Sequence, residues 1–398
     1  MTVLAHGVGQ SQDLPLPLDL VLQAGAATVV VSFLVLAVLR RRPRLGDGAV
    51  RPAQRRRWLP AVQVTVLLIS LYLVADGLLG PQVPENPAPR ALFVWLWVGL
   101  VPVSLVFGPV WRAVNPLRTM FRLLRLPPGG LRPVPLTSGP WPAALALVGF
   151  AWFELVAPHR ADPLVVGCWL LGYGLLQLGL AAVLGEQWFA RGDCFEVYSA
   201  LAGRLSPLRR RDPLAGVAAT PATPGLAAFL AVWWGSTIFD SASAAPAWET
   251  FVQRAGSPIL YGTAGLVLLC AGVLASVRWM AARLDVTASL IPIAAAYTLA
   301  HYLTLLIVEG PRGVLLLVQQ WGLAADATWS IVPAPGLIAV AQITLILLGH
   351  VLGVVIAHDM ALRAGPERPV LATLADELPV VLLMIGYTWA GLFLLFVR

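Results

Sequence analysis

RRRPRLGDGAVRPAQRRR, residues 40–57, carries eight arginines between two long apolar runs. Short loops this rich in Arg resist translocation, so the segment is expected on the cytoplasmic side, where it sets the direction of the helices flanking it. The N-terminus then lies outside, and each later apolar run crosses in alternation.

Composition agrees with that reading. Of 398 residues, 58% are hydrophobic and only 12% charged, with a mean hydropathy of +0.79. A soluble chain of this length needs more charge to keep its surface wet, whereas in a bilayer only the loops must be polar. The fold expected is all-α: a polytopic transmembrane bundle forming one integral membrane domain over residues 1–398, since a helix satisfies its own backbone in lipid. Every basic residue is Arg, and the net charge of +7 resides in loops, so no nucleic-acid partner is implied. Cys168, Cys194 and Cys270 have unrelated spacings, which argues against a disulfide framework. The first seventeen residues lack the basic start of a secretion signal and the run after them is too long for a signal core, so that run reads as the first span.

A window of about 20 residues, matched to a hydrocarbon core of roughly 30 Å, gives ten spans near 18–39, 59–79, 91–109, 141–157, 163–184, 224–240, 257–279, 288–308, 335–357 and 377–397. With both termini outside, 22 of the 27 arginines fall on the inner side, and only Arg90, Arg160, Arg254, Arg312 and Arg398 fall outside. The plasma membrane is the expected location, with anionic lipid at its inner face as a partner.

Two inner segments stand out. Arg112, Arg118, Arg122 and Arg125 alternate with Val114, Leu117, Phe121 and Leu124, which reads as a basic amphipathic helix on the inner interface. After the fifth span, Glu186, Arg191, Asp193 and Glu196 lie within eleven residues. With Arg112 and Asn115 these acids form an expected inner polar cluster, Asp193 and Glu196 pairing with arginines of the 112–125 helix. Gly167, Gly172, Gly174, Gly179 and Gly185 mark the fifth span as closely packed.

On the outer side, four spans end on an acid: Asp76, Glu154, Asp240 and Glu309. A helix C-terminus is partially negative, which disfavours an acid there unless a cation offsets it. His6, Asp13, His159 and His301 fall on the same side, Glu309 eight positions after His301 and so on the same helical face, about two turns further out. Carboxylate and imidazole suit a divalent metal, giving His6, His301, Asp76 and Glu154 as candidate ligands and Asp240 and Glu309 as candidate catalytic groups. Pairing with outer arginines accounts for the same acids without a metal. His350, roughly 22 Å into its span at 1.5 Å per residue, shares a face with Gln342 and His358 at eight-residue steps, as a packed residue or part of a relay.

HGVGQSQDLPLPL (6–18), FGPVWRAVNPLRT (107–119), GEQWFARGDCFEVYSALAGRLSPL (185–208) and WGSTIFDSASAAPAWETFVQ (234–253) resemble a family of polytopic membrane proteins of high-GC bacteria whose members are often labelled fenitrothion hydrolase. The resemblance implies a membrane-embedded hydrolase of lipophilic organophosphate esters, and the outer imidazole and carboxylate groups would make it metal-dependent. His6, Asp13, Asp193, Cys194, Glu196, Tyr198 and Asp240 lie in the matching segments. A transporter and an assembly subunit remain the alternatives, for the same buried polar residues suit a solute pathway or local pairing. No P-loop, Rossmann fingerprint or GxSxG occurs.

Cysteine introduced within 40–57 is expected to resist an impermeant thiol reagent added outside, and cysteine within 80–90 to react. The reverse labelling pattern overturns the orientation.

Overall fold

The structure, a computed structural model, describes residues 14, 17–46, 48–50, 57–132, 139–282, 284–364 and 370–396, the side chains of 370–376 excepted. In chain order the principal helices are α1 (Leu18–Leu39), α2 (Leu59–Leu79), α3 (Ala88–Phe107), α4 (Val110–Val114), α5 (Pro116–Leu123), α6 (Trp141–Leu155), α7 (Pro163–Leu184), α8 (Cys194–Ala202), α9 (Pro224–Ser243), α10 (Pro246–Ala255), α11 (Pro258–Ala281), α12 (Leu290–His301), α13 (Leu303–Gln320), α14 (Pro335–Ala364) and α15 (Val370–Phe396). Among the described residues there is no strand, only an isolated antiparallel bridge between Val50 and Arg210. Proline opens many of these helices, including α2, α5, α6, α7, α9 and α11. At the first helical turn its missing N–H costs nothing and its fixed φ suits the helix.

Among the described residues, eight helices are long and apolar enough to cross a membrane: α1, α2, α3, α7, α11, α13, α14 and the Glu377–Phe396 part of α15. The chain is a multi-pass membrane protein. Seven of the ten expected spans fall on these helices. The other three take different forms. The 141–157 run is the shorter α6. The 224–240 run is α9, buried on every side from Gly225 to Ser241, so its polar residues are screened by protein. The 288–308 run is not one helix: α12 ends at His301, Tyr302 leaves helical geometry (φ −99°, ψ 13°), and α13 starts at Leu303.

The described residues fall into two compact units, one drawn from 57–203 and 304–332 and the other from 14–50, 204–303 and 333–396. The first unit has an aromatic core in which Trp97 stacks on Tyr198 (4.8 Å between centroids) and meets Phe150 at 5.0 Å. Residues 91–99 of α3 are wound as π-helix, a local widening common at functional sites. In the second unit α9 is central. Gly235 brings α9 onto α11, leaving a Cβ only 2.9 Å from the Cα of Cys270. Gly349 and Gly353 of α14 close likewise on Ala296, Ile293 and the carbonyls of Pro292 and Ser289.

The glycines of α7 divide by role. A Cβ at Gly167 would meet backbone of Gly77 at 2.9 Å, so this pair lets α2 and α7 touch, whereas Gly172 and Gly179 face open space. Gly185 ends α7 at φ +92°. Gly167→Val should therefore force α2 and α7 apart at a cost of about 1–3 kcal/mol. Thermal unfolding in detergent should show a lower midpoint for this variant and an unchanged one for Gly172→Val; equal midpoints would refute the close approach.

Candidate functional site

A polar cluster of the first unit is built from two helix starts whose caps touch. Asn115 caps α5, its side-chain oxygen accepting from Leu117 N at 2.9 Å, and Asp193 caps α8, accepting from Phe195 N at 3.0 Å. Asn115 Nδ2 donates to Asp193 Oδ2 at 2.7 Å, so each cap holds the other. Two partially positive helix ends thus converge on the carboxylates of Asp193 and Glu196. Arg118, one turn into α5, makes a forked pair with Glu196, 2.7 Å from Nε and 2.7 Å from Nη2, and reaches Glu186 at 3.0 Å. Arg122 also meets Glu186, at 2.8 Å, but from the surface.

Asp193 lacks an arginine among these contacts. Its carboxylate accepts from Tyr173 Oη at 2.7 Å, Asn115 at 2.7 Å and Trp111 Nε1 at 3.3 Å. The expected pairing with an arginine is therefore corrected: Glu196 takes Arg118, and aromatic and amide donors serve Asp193. The expected interfacial helix is corrected too. It breaks at Asn115, and Arg118 is buried beneath the Phe189 ring at 5.2 Å rather than facing lipid. Arg112 is exposed, outside the cluster.

Burial sets the electrostatics. It pushes the Asp193 carboxyl up to about 6, with help from the Glu196 charge and against the pull of its donors. Burial also disfavours the Arg118 charge, but the carboxylates of Glu196 and Glu186 outweigh it and hold the guanidinium above its ordinary value. Glu186 is less buried, and Arg122 and Arg118 draw it below the usual carboxylate range. Burial and Asp193 together raise the Cys194 thiol far from reactivity.

Asp193 forms one end of a cavity of about 380 Å³. The other walls are mainly apolar faces of α2, α3, α4, α5 and α7, with Trp95, Trp111 and Trp169 among them. The π-wound turn of α3 supplies Ala91, Leu92, Trp95 and Leu96. Leu71, Leu171 and Leu175 line it and are also exposed on the outer faces of α2 and α7, so an apolar mouth leads to the polar end.

In the second unit, Asp240 and His301 are in contact, Oδ2 to Nε2 at 2.8 Å. Tyr302 donates to the same Oδ2 at 2.7 Å, and Ser241 Oγ stands 3.0 Å from His301 Nδ1 and 3.1 Å from Tyr297 Oη. All five side chains are buried. The break after His301 brings Tyr302 onto the carboxylate, and it corrects the expected alignment of Glu309 with His301 on one helix. Glu309 belongs to the first unit, where Arg90 holds it at 2.7 Å and Arg312 at 3.2 Å. Asp76 and Glu154 also lie in the first unit, Asp76 half-buried at the end of α2 and Glu154 buried on α6. His6 and Asp13 lie outside the described residues. Among the described residues no three His, Cys, Asp or Glu side chains gather to hold a metal ion. Asp240 and His301 supply two donors, one already shared with Tyr302, and that set does not fit a metal centre.

At the other end of the second unit, His358 Nδ1 is 3.0 Å from both Glu377 oxygens and Nε2 is 2.9 Å from the Arg40 carbonyl. Two acceptors on the two ring nitrogens suit the imidazolium, the form with two N–H donors. Asp359 accepts from the backbone N–H groups of Arg44 and Leu45 and from Arg363. Sequence reasoning missed Tyr173, Trp111, Ser241, Tyr297, Tyr302 and Glu377. The usable signals were local: DCFE at 193–196 has the capping-box pattern and NPLR at 115–118 begins with a cap and proline.

No protein-family model, curated protein or solved structure matches the chain.

Removing one partner of a buried ion pair strands the other charge, so Arg118→Ala should cost about 3–5 kcal/mol. Arg122→Ala, at a side chain 55% exposed, should cost under about 1 kcal/mol. Folded yield and unfolding midpoint in detergent read both, and equal losses would contradict the division between buried and surface arginine.

Proposed function

We propose that this multi-pass membrane protein takes a lipophilic molecule from the bilayer into the cavity of its first unit and holds the molecule's polar group against Asp193. The observation carrying this reading is the apolar cavity of about 380 Å³ with a buried carboxylate at one end and exposed leucines at its mouth. A volume of this order suits a small ligand, and a mainly apolar wall with few polar groups is the usual form of such sites. Trp111, at 3.3 Å, makes the longest of the donor contacts to Asp193, and a ligand hydroxyl or amine replaces it at least cost. An anionic lipid is disfavoured beside an ionised Asp193. The ten-span ladder with both termini outside, in the plasma membrane and with anionic lipid against the inner arginines, belongs to the same reading; the distribution of arginine supports it.

Hydrolysis of a lipophilic organophosphate ester, implied by the resemblance, is the second reading. One observation favours it: Ser241, His301 and Asp240 follow the order of a nucleophile, its base and the carboxylate that orients the base. The described donor set does not fit a metal, so in this reading the serine itself is the nucleophile. Loss of triester hydrolysis in Ser241→Ala, with Gly174→Phe unaffected, would favour this reading over the cavity.

A brominated long-chain alcohol tests the cavity by quenching tryptophan fluorescence in nanodiscs. Quenching should include a saturable part at pH 8. That part should be lost in Gly174→Phe, which fills the cavity from a position whose Cβ has only ordinary contact with Leu117 at 3.5 Å. Asp193 is an acceptor when ionised, above about pH 6, so affinity for the alcohol should fall as pH drops from 8 to 5. Purely linear quenching in the wild type overturns the proposal.

A further inference from the structure

No arginine or histidine lines the cavity of the first unit, and the chain holds no lysine. The one carboxylate on its wall, Asp193, is ionised above about pH 6. Arg118 and Arg122 are engaged by Glu196 and Glu186, and the partners of Asp193 are neutral: the Tyr173 hydroxyl, the Asn115 amide, the Trp111 indole and the Phe195 backbone N–H. Such dipoles, with the two helix starts, hold an anion in place without cancelling its charge. The polar end of the cavity thus carries a negative charge that no cation among the described residues pairs with.

That end is also aromatic. Trp111 and Tyr173 touch Asp193, Trp169 and Phe195 pack on Tyr173 at 5.0 and 5.6 Å between centroids, and all four line the cavity. The polar hydrogens of Trp111 and Tyr173 are committed to Asp193. What these two side chains leave to a ligand is ring rather than N–H or O–H. An indole or phenol that donates to an anion gains π density, and aromatic rings attract a cation most when both are out of water. The rings are fixed before any ligand arrives, since Trp169 stacks on Tyr173 on one side and on Phe153, at 5.3 Å, as well. Prior ordering of this kind lowers the cost of binding.

The four contacts that already occupy Asp193 discriminate among cations. A primary ammonium brings three N–H donors, and leaving any of them unmet in an apolar site is costly. A quaternary ammonium brings none. It draws its stabilisation from charge and rings alone, which is what this end of the cavity offers. We propose that the ligand of the first unit is a long-chain quaternary ammonium amphiphile, its head against the rings at the Asp193 end and its chain running along the apolar walls toward the mouth at Leu71, Leu171 and Leu175. The proposal rests on the cavity reading above and adds the charge of the head. A phosphate beside that head would face the same unmatched carboxylate, so a choline phospholipid is disfavoured and a free cation selected.

Competition in maltoside micelles, which carry no charged headgroup, tests it at pH 8. The full chain is loaded with the brominated alcohol, and recovery of tryptophan fluorescence is followed as competitors of equal chain length are added, each read against Gly174→Phe to remove the part due to the micelle. The alkyltrimethylammonium should displace the alcohol at a concentration about tenfold lower than the unbrominated alcohol or the alkylphosphocholine. Its neutral tert-butyl isostere, of the same shape, should show no such advantage. Asp193→Asn, whose side chain can still cap α8, should remove the advantage of the cation. Saturable quenching by the alcohol with no preference for the cation overturns this proposal and leaves the cavity reading standing; absence of saturable quenching overturns the cavity reading and this proposal with it. An alkylphosphocholine as tight as the trimethylammonium, or an undiminished preference in folded Asp193→Asn, also overturns it. The isostere comparison needs only the wild type, so it decides the matter should Asp193→Asn fail to fold.

Discussion

In hydrocarbon an ionised side chain has no water to turn to, so each charge in the interior of this chain depends on another protein group. That constraint shapes both units. Glu196 is met by the fork of Arg118, Asp193 by three side-chain donors, Glu309 by Arg90, and His358 by Glu377 and a carbonyl. Each contact joins segments distant in sequence, so satisfying a charge and fixing a helix are one event. The two caps of α5 and α8 make the point most directly, since one hydrogen bond between Asn115 and Asp193 orients two helix starts and aims both at the same carboxylates.

Much of the architecture was legible in the sequence. Apolar runs marked α1, α2, α7 and α14 because length and hydropathy alone decide whether a helix suits a bilayer. The meeting of acids and arginines near residues 112–125 and 185–199 was legible in outline, for uncompensated charge there would be costly. Which acid meets which arginine was not. Asp193 and Glu196 are three apart on neighbouring turns, and the choice between them depends on the burial of Arg118 and on Tyr173 arriving from α7. Those are tertiary facts without a local signature.

The outer acids show a second limit. Asp76, Glu154, Asp240 and Glu309 share a position along the spans expected from sequence, but Glu309 lies within α13 and Asp240 on the buried α9, so that shared position does not survive in the structure. Glu309 satisfies itself with arginines, and Asp240 with His301, Tyr302 and the break between α12 and α13. That break has no proline or glycine behind it; the residues are His301, Tyr302 and Leu303. Helix propensity favours continuity there, and the hydroxyl of Tyr302 on a buried carboxylate wins because leaving that carboxylate short of donors costs more than interrupting one turn.

The loop at residues 40–46 is clasped by the end of α14, through His358 on the Arg40 carbonyl, Asp359 on the N–H groups of Arg44 and Leu45, and Arg363 on the carbonyls of Leu45 and Gly46. The first of these contacts joins residues 318 positions apart. A ribosome adding about 5–20 residues per second reaches His358 roughly 15 to 60 seconds after Arg40. The loop therefore waits unlatched through most of synthesis and closes only when one of the last helices emerges. Assembly of the second unit is in this sense deferred: its first helix is made early and locked late, and a truncated chain ending before α14 carries the arginine-rich loop without its clasp.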